Sequence, residues 1–348
     1  MIDFIKIKGF RSIKDMQVVL KPLNILIGSN GSGKSNFVSF FSLLNAIANK
    51  RLQHLLMEED IDKLLYFGRK ITSQLYGELG FTTKSDSSVY HFSLVQDKNG
   101  GMFIETEGSS GHIERNLKES SLDGNNFLSA FRVFHFHDTS HTSLLRRGCD
   151  ISDNHFVRSD GRNIPAILYL LKEKHPVVFQ RIEKTIQSVA PYISRLILEP
   201  NGLNNNKIEL RWVDSGDLES NFSVYQLSDG TLRFIALATL LMQPNPPDVI
   251  IIDEPELGLH PFAIGKLAGM IQAAASQSQI ITATQSPGFI SHFSPEDIIV
   301  IDKCETENQT VFRRLDTCSL KNWLDDYSLG ELWERNIING AQPFRKIV

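Results

Sequence analysis

The sequence contains no apolar stretch long enough to cross a bilayer. Its longest apolar run, near Phe234 to Met242, is well short of the roughly 20 residues that a spanning helix requires and reads as a buried helix. No membrane partner is expected. Cysteine is scarce: Cys149, Cys304 and Cys318 are scattered, odd in number and without CxxC spacing. That pattern excludes a disulfide framework and a cysteine zinc site, and it suits a reducing cytoplasm. Base is not in excess either. The formal net charge is -4 and the pI about 6.2, so nothing marks a strongly basic nucleic-acid binder, although a local basic patch remains compatible with an acidic chain. Sustained heptads, internal repeats and low-complexity tracts are missing, which removes long coiled coils and solenoids. The opening MIDFIKIKGF alternates apolar and charged residues as a strand does, unlike an export leader.

What is present is an ordinary globular composition, with 348 residues, 41% hydrophobic and 22% charged, enough for one large domain or two smaller ones. The pattern is α/β. Leu23 to Ile27 reads as a buried strand, followed by a glycine-rich loop and a helix from Ser35 to about Ala48. Gln74 to Phe81, Val89 to Gln96 and Met102 to Glu107 read as an antiparallel meander, with turns at Lys98 to Gly101 and Asp123 to Asn126. A helix is expected from near Asn163, a second one after Pro176, and a polar loop at Asn201 to Asn206. Further on, VIIID and QIITAT are β-branched runs that suit central parallel strands. Helices are expected near Pro261 to Ala275 and Gly288, and a strand IIVI ending at Asp302.

The loop GSNGSGKS, Gly28 to Ser35, carries the chemistry of a P-loop in the strand–loop–helix context that a P-loop needs. Glycines let backbone N–H groups face phosphate. Lys34 brings positive charge to the β- and γ-phosphates, Ser35 offers a hydroxyl to Mg²⁺, and the helix N-terminus adds its dipole. The expected nucleotide-binding set is Gly28, Ser29, Asn30, Gly31, Ser32, Gly33, Lys34, Ser35 and Asn36, with ATP and Mg²⁺ as cofactors; Lys34 is also a catalytic candidate. Asp253-Glu254 ends VIIID. Asp253 is expected to hold Mg²⁺ and Glu254 to activate the attacking water; a helix-capping acidic pair is the alternative.

Between these centres stands Leu227-Ser228-Asp229-Gly230-Thr231. LSDGT resembles the signature motif of ABC-type ATPases. DEPELGLHP resembles the Walker B and D-loop of the RecF, SMC and OLD-like branch, and GFRS at Gly9 to Ser12 is similar to a motif near the N-terminus of that branch. HFHDTS, SDGRNIPAILYLL, ATQSP and SLGELWERN look like the stand-alone RecF-like predicted ATPases of bacteria. The resemblance covers about 1 to 48 and 220 to 300. It implies an ABC-type P-loop head with a mixed sheet, whose ATPase lobe is split. Residues 1–48 would carry Walker A. Residues 49–220 would form a helical and antiparallel-β insert, residues 221–302 would carry the signature, Walker B and switch, and residues 303–348 would be a tail packing on the head.

The resemblance also implies a head-to-tail dimer of two copies, in which Ser228 and Gly230 of one cap the γ-phosphate at the P-loop of the other. An N-cap for the following helix is the plainer role of Ser228 or Asp229, and the two roles can coexist. Two departures stand out. Gln285 occupies the switch position, where the general pattern has histidine, so hydrolysis is expected to be slow. HFHDTS lies where a glutamine loop is expected, which makes Asp138 a weaker Mg²⁺ candidate. Arg11 is read either as a nucleotide contact or as an exposed strand-end arginine.

Other features keep two readings. His135, His137, Asp138 and His141 suit either a metal cluster or a strand end. His260 either crosses the dimer or starts a helix. Arg146-Arg147 and Arg313-Arg314 either meet DNA phosphates or are solvated. The aromatic stretch from Trp323 to Trp333 packs on the chain's own core or takes a partner. The expected function is an ATP-driven switch in DNA-linked repair or anti-phage defence. The alternative is an ATP-dependent scaffold that holds and releases a separate effector such as a TOPRIM-type nuclease.

Overall fold

The computed structural model describes residues 1–82, 87–97, 101–110, 128, 131–202, 204–304 and 308–338. The turn expected at Asp123 to Asn126 and residues 98–100 of the other lie outside them. The chain divides into two compact units, 1–133 with 248–253 and 278–348, and 134–247 with 254–277.

The first unit opens with β1 (Ile2–Phe10), β2 (Ile13–Val19), β3 (Leu23–Ile27), α1 (Lys34–Ala48), α2 (Leu52–Glu58) and α3 (Ile61–Leu64). The expected meander follows as β4 (Gln74–Thr82), β5 (Ser87–Gln96) and β6 (Met102–Ser110), and β7 (Arg132–Phe134) ends this pass. The second unit holds β8 (Cys149–Asp150), α4 (Ile164–Lys174), α5 (Pro176–Val189), β9 (Ile193–Ile197), β10 (Pro200–Asn201), β11 (Asn204–Ile208), β12 (Arg211–Asp214), β13 (Asp217–Ser223) and α6 (Asp229–Met242). The chain returns to the first unit for β14 (Val249–Asp253) and gives α7 (Pro261–Ala274) to the second. It ends in the first with β15 (Gln279–Thr284), α8 (Pro287–Ile290), β16 (Ile298–Cys304), β17 (Gln309–Arg314), α9 (Thr317–Leu324) and α10 (Leu329–Glu334).

Two sheets build the first unit. The antiparallel one has the order β2-β1-β4-β5-β6, and the mixed one β17-β16-β3-β15-β14-β7. β3, β14 and β15 are parallel and buried nearly throughout, as their unbroken apolar and β-branched runs require. β1 alternates instead, because only one face reaches the core. A phenylalanine cluster from α1 fills the space: Phe40 meets Phe10 and Phe92 at ring distances of 5.5 and 6.0 Å, and Phe37 meets Phe312 at 5.2 Å. The core around it takes in residues of both sheets, from Ile5 and Leu79 to Ile251 and Ile281.

In the second unit, α6 is buried from Thr231 to Leu241 and packs against both α5 and α7. The sequence expectation of a polar loop at Asn201 to Asn206 is corrected here. β10 and β11 pair antiparallel there, and β11 also pairs with β8. The asparagine-rich stretch lacks the apolar alternation that announces a strand, yet an exposed strand needs only its ladder partners.

Candidate functional site

β3 ends at Ile27 and the chain turns through Gly28–Gly33 into α1. Gly31 and Gly33 have φ of 79° and 114°, a region that side chains rarely tolerate. Gly33 also has no space for one, since a Cβ would lie 2.5 Å from Thr310 Oγ1. Lys34 is buried, and its Nζ donates to the carbonyls of Gly28 at 2.6 Å and Ser29 at 3.0 Å, so the cation is centred on the loop. α1 starts with no side-chain cap and no acidic residue in its first turn. Its leading N–H groups and the positive end of its dipole are thereby directed to an anion. Ser32 Oγ is buried without a hydrogen-bond partner, and Ser35 is exposed on the first turn. This donor set fits a nucleotide polyphosphate.

The sheet sets the rest of the first unit's site. Register aligns Ile27 with Thr284, Leu26 with Ala283, and Ala283 with Asp253. Gly28, Gln285 and Asp253 therefore share the C-terminal edge of the parallel strands, where ligands of open α/β sheets bind. Glu254 follows Asp253 directly, with φ of 43°, a left-handed conformation that is costly for a non-glycine residue.

The GFRS turn braces the same loop. Asn36 Nδ2 donates to Ser12 Oγ at 2.7 Å, Ser12 Oγ lies 2.7 Å from Thr310 Oγ1, and Thr310 Oγ1 donates to the Ser32 carbonyl at 3.0 Å. Arg11 adopts φ of 49° and pairs with Glu59 at 2.6 Å. It is neither an isolated strand-end cation nor exposed. Arg11, Asn36, Lys63, Tyr66, Phe67 and Lys303 line a cavity of about 370 Å³ beside the start of α1. Thr310 and Lys63 were not legible as site residues, because nothing local in the sequence links them to the P-loop.

The signature segment belongs to the second unit. Ser228 caps α6 by accepting from Thr231 N at 3.2 Å and donates to Thr231 Oγ1 at 2.8 Å, so the capping role is real. Ser228 is also exposed. A Cβ on Gly230 would lie 2.6 Å from the Gly258 carbonyl. This packing alone demands glycine. Two buried arginines hold the segment. Arg146 Nη1 donates to Val224 O at 2.7 Å and Leu227 O at 3.2 Å, Nη2 to Asp229 Oδ1 at 2.6 Å, and Nε to Thr139 O at 2.8 Å. From α6, Arg233 donates to the carbonyls of Phe136 at 2.8 Å and His137 at 3.0 Å; its burial lowers its pKa. Asp138 lies in the loop so held and is exposed. Its Oδ1 accepts from Ser140 N and Oγ, and these bonds lower its carboxyl pKa.

The structure bears on several of the alternatives. Arg146 serves its own chain's carbonyls, as do Arg313, which donates to Ile338 O, and Arg314, which donates to Glu296 O and Val19 O. Arg146 and Arg314 are thus corrected from DNA or solvent contacts to internal clamps, whereas Arg147 and Arg313 are exposed, in keeping with the solvated alternative. His260 caps α7 through Nδ1, which accepts from Phe262 N at 3.2 Å. His141 stacks on Tyr225 at 4.7 Å, and no group of three His, Cys, Asp or Glu side chains suited to a metal forms among the described residues. Leu320, Leu329, Leu332 and Trp333 are buried and pack within their own unit, whereas Trp323 of the same stretch is 44% exposed. Among the described residues no helix is long and apolar enough to cross a membrane.

Comparison with known proteins follows the same lines. The chain is similar to the OLD nuclease of Thermus scotoductus, 22% identical over 363 residues that cover 95% of this chain and 68% of that protein. Its fold is similar to an SMC head bound to the C-terminal winged-helix domain of ScpA (16% identity, TM-score 0.61, covering 92% of this chain and 99% of that one). It is also similar to the SMC head domain of Thermotoga maritima (12% identity, TM-score 0.51, covering 90% and 99%). The family model described as "AAA domain, putative AbiEii toxin, Type IV TA system" matches residues 23–291. The chain belongs to that family, and its fold is that of an α/β ABC-type P-loop head of the kind seen in SMC heads.

Proposed function

We propose that this chain binds ATP·Mg²⁺ at Gly28 to Asn36 and hydrolyses it slowly to ADP and phosphate in a head-to-tail dimer of two copies. The observation that carries the reading is the uncapped start of α1 with the Lys34 ammonium centred on the loop, on the sheet edge shared with Asp253 and Gln285. The backbone N–H groups of residues 29–36 hold phosphate oxygens, and Lys34 neutralises charge that grows on them in the transition state. Ser35 and Asp253 would hold Mg²⁺, which when bound would supply charge neutralisation at the phosphates; Asp138, in the second unit, is the weaker candidate ligand. Glu254 accepts the proton of the attacking water, and Gln285 orients that water through a neutral amide. Arg11, Lys63 and Tyr66 give the cavity beside α1 the cations and the ring suited to a nucleoside end. The exposed Ser228 hydroxyl and the Gly230 backbone of one copy close the P-loop of the other, so the signature acts in trans.

The test is Glu254→Gln, which keeps ATP and blocks turnover. Size-exclusion chromatography with light scattering in ATP·Mg²⁺ should show a dimer for this variant and a monomer without nucleotide. A monomer in both states refutes the trans signature.

The dimer would work as an ATP-driven switch in DNA-linked repair or anti-phage defence. A second reading rests on the name of the relative, a nuclease, of which this chain matches 68%. In it the chain is an ATP-dependent scaffold that holds and releases an effector such as a TOPRIM-type nuclease. ATP-dependent binding to duplex DNA by the isolated chain favours the first reading, and DNA binding only with a co-purified effector favours the second.

A further inference from the structure

The second unit carries a groove that the nucleotide reading leaves unused. α5 and α7 form its walls, and the C-terminal end of α6 contributes Leu241 to Gln243; its volume is about 820 Å³. The lining includes Arg181, Lys184 and Lys266 and no carboxylate. All three cations are exposed. On a chain with a net charge of -4, this is a local reversal of sign.

The α7 wall carries a line of small residues beside Lys266 and Met270. Gly265, Gly269 and Ala273 recur four residues apart and so lie along one line of the helix. Gly269 is exposed, and a Cβ on it would meet nothing within 4 Å. Glycine inside a helix costs about 1 kcal/mol relative to alanine, and at Gly269 no neighbour among the described residues needs the space. Such a line lets a second helix approach closely. Ten residues of helix, about 15 Å long and 10 to 12 Å wide, occupy on the order of 1,200 to 1,700 Å³. The groove accommodates roughly the inner half of that cylinder.

We propose that this groove docks an acidic amphipathic helix of a partner polypeptide. Small and apolar side chains of that helix lie on Gly265, Gly269 and Ala273, and its carboxylates meet Arg181 and Lys184 on one wall and Lys266 on the other. The concave seat and the glycine line favour a helix over a nucleic-acid backbone, which needs cations but no glycine line.

The test uses the full chain and two fluorescent model helices of about five turns, one with Leu, Ala and Glu and one with Lys in place of Glu, read by anisotropy. The Glu helix should bind and the Lys helix should not. Arg181→Glu combined with Lys184→Glu should weaken binding at least about ten-fold. Gly269→Leu, which fills the groove at an exposed position and raises helix propensity, should do the same, whereas Gly269→Ala should change it little. Circular dichroism and ATP binding at the P-loop serve as controls for folding, so the outcome is independent of the nucleotide reading. Equal binding of the two helices, no binding of either, unchanged affinity in Gly269→Leu, or displacement of the Glu helix by duplex DNA would each overturn the proposal.

Discussion

Arg146 gives the sharpest structural prediction. Its side chain is 6% exposed, and its donors serve three carbonyls, those of Thr139, Val224 and Leu227, and the Asp229 carboxylate. In Arg146→Ala the Thr139 and Leu227 carbonyls lose this donor, while Val224 O keeps the Leu227 N–H at 3.2 Å. A buried acceptor left unsatisfied costs about 1 to 3 kcal/mol. Asp229 is mostly exposed, with a side-chain exposure of 67%, so its share is small after screening by water. Water can enter from that side and relieve one carbonyl. The net cost should be about 3 kcal/mol, concentrated in the second unit. Because the chain has two units, a single unfolding free energy is an unsafe readout. Hydrogen exchange resolved by mass spectrometry is better, and protection at 136–146 and 224–231 should fall about 100-fold, which corresponds to about 2.7 kcal/mol, while α1 and β3 stay protected. Arg146→Lys keeps the charge but not the planar fork, and should recover part of the protection. If both segments in Arg146→Ala exchange as in the wild type, the clamp is not what holds the signature.

Other outcomes follow from the same geometry. Lys34→Ala should reduce ATP affinity by at least about 100-fold in isothermal titration, since the cation centred on the loop is removed; unchanged affinity would refute the P-loop assignment. Thr310→Val removes the hydroxyl that serves Ser32 O and Ser12 at nearly constant volume. ATP affinity should drop several-fold, for a cost of about 1 to 2 kcal/mol, and Thr310→Ser should restore it. The Arg69 side chain and N–H, by hydrogen bonding Asp62, hold its carboxyl at about 2, below the ordinary 3.8. A depressed carboxylate adds stability above its unfolded value, and that contribution is lost as pH falls from about 4 toward 2. A carboxyl ¹³C titration should place Asp62 at about 2 and move it back toward 3.8 in Arg69→Gln, and an identical midpoint in both proteins would contradict the latch.

The parts of the site that were legible in the sequence are those built from contiguous residues. β3, the P-loop and α1 follow one another, and VIIID and QIITAT are runs too apolar for anything but central strands. Local spacing also marked Ser228, because a cap is read within four residues. What stayed hidden is held by long-range pairs. Ser12 and Thr310 are separated by 298 positions and Arg146 and Asp229 by 83, and no periodicity connects them. Arg146 and Arg314 looked like surface cations because most of their partners are backbone carbonyls, which carry no sequence identity. The hairpin at 200–208 was missed because polar asparagines form its ladder through backbone groups alone.

The contact between Gly230 and the Gly258 carbonyl changes how variants of the signature are to be interpreted. The two segments are one face of the second unit, with Arg233 behind them, 3.0 Å from where a Cβ on Gly258 would stand. Enlarging Gly230 pushes its own chain's 254–260 loop, so in the proposed dimer a loss of activity in Gly230→Ala would mix damage in cis with damage in trans. Ser228 offers the cleaner probe. Asparagine there keeps a good helix cap while altering the exposed group, and mixing Ser228→Asn with Lys34→Ala chains assigns the defect to one head or the other.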